Sequence, residues 1–363
     1  MKMKQWIIMA VVAGLVVLLA GTVSAGTPPG DPPGLARAIA AQEAHTDSLM
    51  GIAGVVGTAV GSGANGAVVF VFTEEPGVVG IPGALDGVPV VAQATGRIDA
   101  LQHRTGHNGG PGGGGNPTPT PTPGGDPVSD CSTTDRCPRP VPIGVSTRHP
   151  SITAGTIGAR VTDGANVYAL SNNHVYADVN AAVIGDPVLQ PGTFDGGGAG
   201  DEIGTLAAFV PVLLDPDPTD TVNGPANVVD AAIALSSTTN LGNSTPSNGY
   251  GTPKSTTAAA AINAKVQKYG RTTEQTKGQV WAINASVNVC YNSDCTDVAY
   301  FVNQIVVRDQ GRNGFSQGGD SGSLVLRSAR NSVGLLFAGG GQFTFVNPID
   351  AVLGAFGVTI DGE

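Results

Sequence analysis

The sequence predicts a large all-β domain, preceded by a small α+β domain and a Pro/Thr/Gly linker. Three observations predict it. First, the 363-residue chain holds 54 glycines, only 5% aromatic residues and 13% charged residues. An average soluble domain carries roughly 25% charged residues. With abundant Val, Thr, Asn and Pro, the composition is one of strands and turns. Second, residues 131–363 fall into short, alternating apolar runs broken by Gly, Pro, Asn and Asp, the pattern of a sandwich, a large barrel or a pair of barrels. Third, residues 104–130 read RTGHNGGPGGGGNPTPTPTPGGDPVSD. A flexible Gly run followed by a stiff Pro-Thr run cannot bury a core, so it separates two folded parts.

Taken in order, the chain opens with Lys2 and Lys4, an apolar run Trp6–Gly21 and the small residues Val23–Ala25. That is the layout of a secretory signal peptide over residues 1–25, with cleavage after Ala25. A retained N-terminal anchor is the alternative, since the run nears spanning length. No cysteine follows the cleavage point, which argues against a lipoprotein, and no later stretch is apolar enough to span a bilayer. Export places the protein outside the cell or in the cell envelope.

Residues 26–103 form the small α+β domain. Gly34–Met50 carries Leu35, Ile39 and Leu49 among helix-forming Ala and Gln, predicting a helix. Gly54–Gly61 and Gly66–Glu74 read as two strands of a hairpin, with Asn65-Gly66 as its turn signal, and Val88–Gly96 as a further strand. His45 and His103 lack motif partners and read as solvated surface residues. The domain contains no catalytic set. It reads as a propeptide-like or accessory unit, with an intramolecular contact to the second domain as one role.

Strand-like runs in residues 131–363 include Asn166–His174, Asp201–Val212, Asn227–Ser236, Lys277–Val289, Ala299–Asp309, Ser321–Ser328 and Ser332–Gly340. A helical pattern returns only at Asn347–Gly357. The four cysteines form two close pairs, Cys131 with Cys137 and Cys290 with Cys295. In an exported chain an even count predicts disulfides. Zinc is disfavoured, because the spacings are not C-x-x-C and no His lies nearby. The net charge of −10 argues against nucleic acid as a partner, since phosphate binding needs a basic surface.

One stretch carries chemistry. In Asn313–Leu326, NGFSQGGDSGSLVL, Gly318, Gly319, Asp320, Ser321 and Gly322 lead into an apolar run. Turns use these residues anyway, so Ser321 reads as a nucleophile only if a base and an orienting acid exist. Residues 131–363 hold two histidines. His149 precedes a proline in a loop. His174 directly follows an apolar run, at the end of a rigid element where a base belongs. Asp230 interrupts the apolar run Val228–Ile233, where a carboxylate is costly unless paired. Asp195, Asp201, Glu202, Asp215, Asp217 and Asp220 lie in Gly- or Pro-rich loops and read as solvated.

The order His174, Asp230, Ser321 together with GDSGS, SNNHV, VDAAIAL and Gly334–Ile349 resembles the trypsin-like, chymotrypsin-fold serine peptidases, bacterial secreted members in particular. The resemblance spans residues 140–360 by order and is tight only at these motifs. It implies two antiparallel β-barrels and peptide-bond hydrolysis through an acyl-enzyme, with no cofactor and a protein or peptide as substrate. Ser321 would attack, His174 would carry the proton, Asp230 would hold the imidazole, and the Gly319 and Ser321 amides would form the oxyanion hole. It also places a specificity pocket with its base near Phe315 and its walls at Ser316–Gly318 and Ala338–Gly341, naming Phe315, Ser316, Gly318, Ala338, Gly339 and Gly340. No acid stands at the base, so an apolar side chain is expected there.

The chain departs from the family pattern in three ways. Phe337 stands where a Ser usually supports the acid. No IVGG-like start precedes residue 145, so Asp320 needs a partner other than a freed amine, such as Arg312 or a backbone donor. The usual cross-barrel cysteines are missing. The cationic stretch Val266–Val280, with Lys268, Arg271 and Lys277 (and Lys265 just before it), reads as a solvated hairpin. Phe194–Gly204 matches no EF-hand spacing and reads as a plain loop rather than a Ca²⁺ site. Two other functions use the same residues: a degenerate, protease-like secreted binding or adhesion protein, and an esterase.

Overall fold

The computed structural model describes residues 30–101, 131–215, 225–309 and 314–363. The signal peptide, the linker, His103, Asp217, Asp220 and Arg312 lie outside the described residues.

The predicted helix forms over Leu35–Met50. Ala38, Ala41, Leu49 and Met50 make its buried face, and Gly51 closes it by donating to the Asp47 carbonyl. Its one deeply buried amide, Gln42, donates to Thr58 Oγ1 at 2.7 Å, which satisfies a polar group that would otherwise be costly to enclose. The helix lies on the antiparallel hairpin Val55–Gly63 and Gly66–Thr73. The register pairs Gly63 with Gly66, so the two-residue loop is Ala64-Asn65 rather than the expected Asn65-Gly66. Gly66 instead takes a left-handed φ of 129° where the Ala67 amide reaches the Pro33 carbonyl. Strand Val88–Ala94 adds in parallel to Gly66–Thr73. His45 lies at the surface as expected, with its Nε2 3.0 Å from the exposed Asp86 Oδ2.

The rest of the chain is predominantly antiparallel β, as the sequence predicts, and its strands lie mainly in two sheets. The first orders Pro187–Leu189, Glu202–Phe209, Ala232–Ser236, Val167–Ser171, Ala159–Thr162 and Thr359–Ile360. Ile143, Val145, Ile157, Ala169, Val188, Ile203, Leu206, Ala232 and Ala234 fill its core. The second is built from Lys265–Gly270, Glu274–Cys290, Val298–Asp309, Leu324–Arg327, Ser332–Gly340 and Phe343–Pro348. Helix Ile349–Phe356 inserts Ile349, Val352 and Leu353 among Leu324, Leu335, Val161 and Ile360, tying the sheets together. Disulfides Cys131–Cys137 and Cys290–Cys295 close with Cα separations of 5.5 and 4.9 Å.

The two parts that the linker divides in sequence share one sheet. Val55–Gly63 pairs antiparallel with Glu274–Cys290, Gly57 opposite Val287 and Thr58 opposite Ser286. Gly57 permits this approach, because a Cβ there would meet Val287 Cγ1 at 2.6 Å. Val56, Ala59, Phe70 and Phe72 share a core with Ala282, Val287, Phe343 and Phe345, and Phe70 stacks on Trp281 at 3.9 Å. Burying each large apolar side chain is worth about 1.5–3 kcal/mol, so the contact is a core rather than a surface touch.

Candidate active site

Strand Val167–Ser171 ends at the extended Asn172, and the single-turn helix Asn173–Tyr176 presents His174. The two asparagines fix this turn. Asn172 Nδ2 donates to the Asp230 carbonyl and Asn173 Nδ2 to the Val210 carbonyl, both at 2.7 Å. The His174 amide donates to Asp230 Oδ1 at 3.2 Å, and Nδ1 lies 2.5 Å from Oδ2. An ionised carboxylate can only accept, so Nδ1 carries a proton, and in the neutral ring Nε2 carries the lone pair. That Nε2 is buried and has no hydrogen-bond partner among the described residues.

Asp230 is fully buried. Its amide donates nitrogen-to-oxygen to Asn347 Oδ1 at 3.0 Å. Its Oδ2 also accepts from the Tyr291 hydroxyl at 2.7 Å. Tyr291 is a partner that sequence reasoning missed. The Phe337 ring packs on Phe301 at 4.7 Å instead.

Ser321 sits in the turn before Leu324–Arg327 and is fully buried. Its carbonyl accepts from the Thr156 amide at 2.8 Å. A Cβ on Gly322 would meet Ser171 Oγ at 2.2 Å, so the turn that carries Ser321 abuts the strand that leads to His174. Ser321 Oγ donates to the Phe337 carbonyl at 3.4 Å. The structure therefore brings Ser321 to the junction that holds His174 without joining hydroxyl to imidazole. Gly319 has a φ of 96°, and a Cβ there would meet Thr272 Oγ1 at 2.5 Å, so the turn requires glycine.

Asp320 gains a partner that the sequence reading put in solvent. Lys268 is fully buried, not on a solvated hairpin, and its Nζ lies 3.3 Å from Asp320 Oδ2. Thr272 and Thr273 amides donate to Oδ1, while the Thr273 hydroxyl and Gln317 amide donate to Oδ2. Burial lowers the Lys268 pKa from its ordinary value, and Asp320 opposes that shift. Arg271 is also buried, against expectation. It binds Asp195 through two nitrogens at 2.8 and 2.5 Å, and Ser146 Oγ donates to the same carboxylate. Asp201, likewise read as solvated, is buried against Arg136 and has its pKa lowered chiefly by that hydrogen bond. In each case long-range pairing removes the carboxylate from water, which loop composition cannot reveal. His149, placed in a loop, is buried with Nε2 3.1 Å from Asp186 Oδ2.

The stretch Ile98–Leu101 is added as a strand beside Ser332–Gly340. Asp99 pairs with Gly339 and Ala100 with Ala338, antiparallel. The Leu101 amide donates to the Phe337 carbonyl at 3.0 Å, and the Gly319 amide donates to the Leu101 carbonyl at 2.9 Å. The Cys290 amide donates to the Ile98 carbonyl at 2.9 Å. The Leu101 side chain packs on the apolar cluster that contains Phe315 and approaches Gly339, where a Cβ would meet its methyl at 3.1 Å. Ser316 Oγ meets Thr344 Oγ1 at 2.6 Å, and the Gly318 carbonyl accepts from Thr272 Oγ1 at 2.7 Å. Gly340 faces the backbone of Arg97 and Thr95.

No family model matches the chain, and no curated protein matches it. Solved structures do. Thermobifida fusca protease A is 17% identical, over 61% of this chain and 98% of that one, with a TM-score of 0.41. Nocardiopsis protease is 15% identical over 60% and 97%, with a TM-score of 0.40. A glutamic acid specific serine protease, described as using a histidine triad in substrate binding, is 20% identical over 61% and 100%, with a TM-score of 0.42.

Proposed function

We propose that this protein is a secreted serine endopeptidase that prefers an apolar residue before the cut. The observation that carries the reading is the stretch Ile98–Leu101, which lies in the cleft as an added strand with the Leu101 carbonyl on the Gly319 amide. A peptide held by ladder bonds on one side and by an amide at one carbonyl is positioned for attack at that carbon. Ser321 Oγ attacks the carbonyl carbon while His174 Nε2 takes its proton. The Gly319 and Ser321 amides stabilise the oxyanion, the C–N bond breaks, and His174 returns the proton to the leaving amine. Water then repeats the cycle on the acyl-enzyme. Leu101 against the Phe315 cluster supports the apolar preference. The signal-like start and two disulfides support export.

The test is mass spectrometry of the purified full chain, with hydrolysis of an Ile-Asp-Ala-Leu anilide by the matured enzyme. A fragment ending at Leu101, anilide turnover, and loss of both by roughly 10⁴–10⁶-fold in Ser321→Ala are expected. Ester-only turnover would make the protein an esterase. Absence of turnover and of fluorophosphonate labelling at Ser321 would leave a binding protein.

A further inference from the structure

Asp230 is a buried carboxylate whose usual supporting hydroxyl is replaced by the Phe337 ring. It nevertheless receives three donations: the His174 amide, His174 Nδ1–H, and the Tyr291 hydroxyl, the last from outside the first sheet. Tyr291 is held from both sides. Its own amide donates to the Asp297 carbonyl at 2.7 Å, and the preceding Cys290 is bridged to Cys295. Its ring stands edge-on to the His174 imidazole, centroids 6.0 Å apart, and stacks on Phe301 at 6.4 Å.

We propose that Tyr291 is the positioning residue of this site, fixing the Asp230 carboxylate so that it orients His174. The inference rests on the endopeptidase reading for its kinetic consequence but not for its structural one. A buried carboxylate oxygen shared between an imidazole and a phenol has less freedom to swing than one bound to the imidazole alone. Both oxygens of the carboxylate are then engaged, Oδ1 by the His174 amide and Oδ2 by the imidazole and the phenol. Burial and the neighbouring Asp230 raise the Tyr291 pKa well above its ordinary value, so the phenol remains a donor wherever the enzyme works. Asp230 and His174 face it from the first sheet. Arg97 and Asp99 lie on the segment paired with Cys290, and Asp297 lies at the far end of the loop.

The arrangement also explains how the site tolerates Phe337. The cleft strand keeps the backbone carbonyl that binds the Leu101 amide and uses its side chain for core packing on Phe301. The hydroxyl duty passes to the end of strand Glu274–Cys290, whose last amide holds the Ile98 carbonyl. One loop therefore touches both the bound peptide and the orienting acid.

Tyr291→Phe preserves the ring and removes only the hydroxyl. In the matured enzyme kcat for the Ile-Asp-Ala-Leu anilide is expected to fall about ten- to a hundredfold with KM within about twofold, and the pH profile of kcat/KM is expected to change. In a Ser321→Ala background, which needs no turnover, the downfield proton resonance of the His174–Asp230 hydrogen bond is expected to shift or broaden. Thermal unfolding of each variant separates this from a loss of fold. Unchanged kcat, pH profile and resonance in a folded Tyr291→Phe protein would overturn the proposal. A moved resonance in a protein whose parent hydrolyses nothing would support the positioning role and remove the endopeptidase reading instead.

Discussion

Lys268 and Asp320 are both without solvent exposure, and their ion pair sits directly behind the turn that carries Ser321. Asp320 gathers the Thr272, Thr273 and Gln317 amides, so its charge fixes the backbone from which Gly319 donates. Removing the cation would leave that carboxylate enclosed and unpaired. Lys268→Met is therefore expected to lower stability by about 3–5 kcal/mol in urea titration and to cut anilide turnover more than about a hundredfold, the scale of a lost oxyanion donor. A variant of parental stability and turnover would show that the pair is dispensable. The triad candidates were legible in the sequence because each sits oddly for its chemistry: Asp230 in an apolar run, His174 at a strand end, Ser321 among glycines. Lys268, Arg271 and Tyr291 were not. A cluster of cations in a polar stretch looks the same whether water or a distant carboxylate neutralises it. A tyrosine after a cysteine carries no periodic or spacing signal. Their meaning comes from contacts with Asp320, Asp195 and Asp230, which only the assembled sheets create.

Among elements, helix and hairpin were readable from local pattern, whereas the two-residue strand Asp99–Ala100 was not, since its pairing partners lie on Glu274–Cys290 and Ser332–Gly340. Ile98 and Ala100 are buried in the shared core, and Leu101 packs on the cluster around Phe315. Leu101→Asp would press a carboxylate against the Phe315 cluster, so cleavage after residue 101 is expected to slow at least about a hundredfold in a time course followed by mass spectrometry. Cleavage at the parental rate would mean that Leu101 does not fill the pocket. The first-sheet loops make a separate prediction. Asp163 has its pKa lowered chiefly by the Asn166 amide, Asp186 by the Val183 amide, and Asp201 by Arg136. Groups with depressed values in the fold contribute stability above the unfolded value of 3.8, and lose it as pH falls through their folded values. The urea midpoint is thus expected to hold steady above about pH 5 and to drop below about pH 4. A midpoint flat down to about pH 2 would contradict these three contacts.

At the scale of the whole molecule, the linker makes the chain look like two bodies, yet the second sheet runs without a break from the N-terminal hairpin through Glu274–Cys290. A cut after Leu101 would sever the covalent connection and leave this sheet intact. Four backbone pairs between Val55–Gly63 and Glu274–Cys290 would remain, together with the Phe70–Trp281 stack and the shared core around Phe72 and Phe345. The new C-terminal carboxylate of Leu101 would keep its place on the Gly319 amide, now as bound product. The fragments are therefore expected to travel together in native mass spectrometry and gel filtration, and the cleaved complex to turn over the anilide slowly. Full activity should appear only when the N-terminal fragment is stripped by mild denaturant or digested by a second protease. Gly57→Val, which drives a side chain into Val287, should loosen the complex and bring activity forward in time. Immediate separation of the fragments with full activity on cleavage would show that the shared sheet is too weak to retain the product. Retention with full activity would show that Leu101 leaves the cleft even though the hairpin stays.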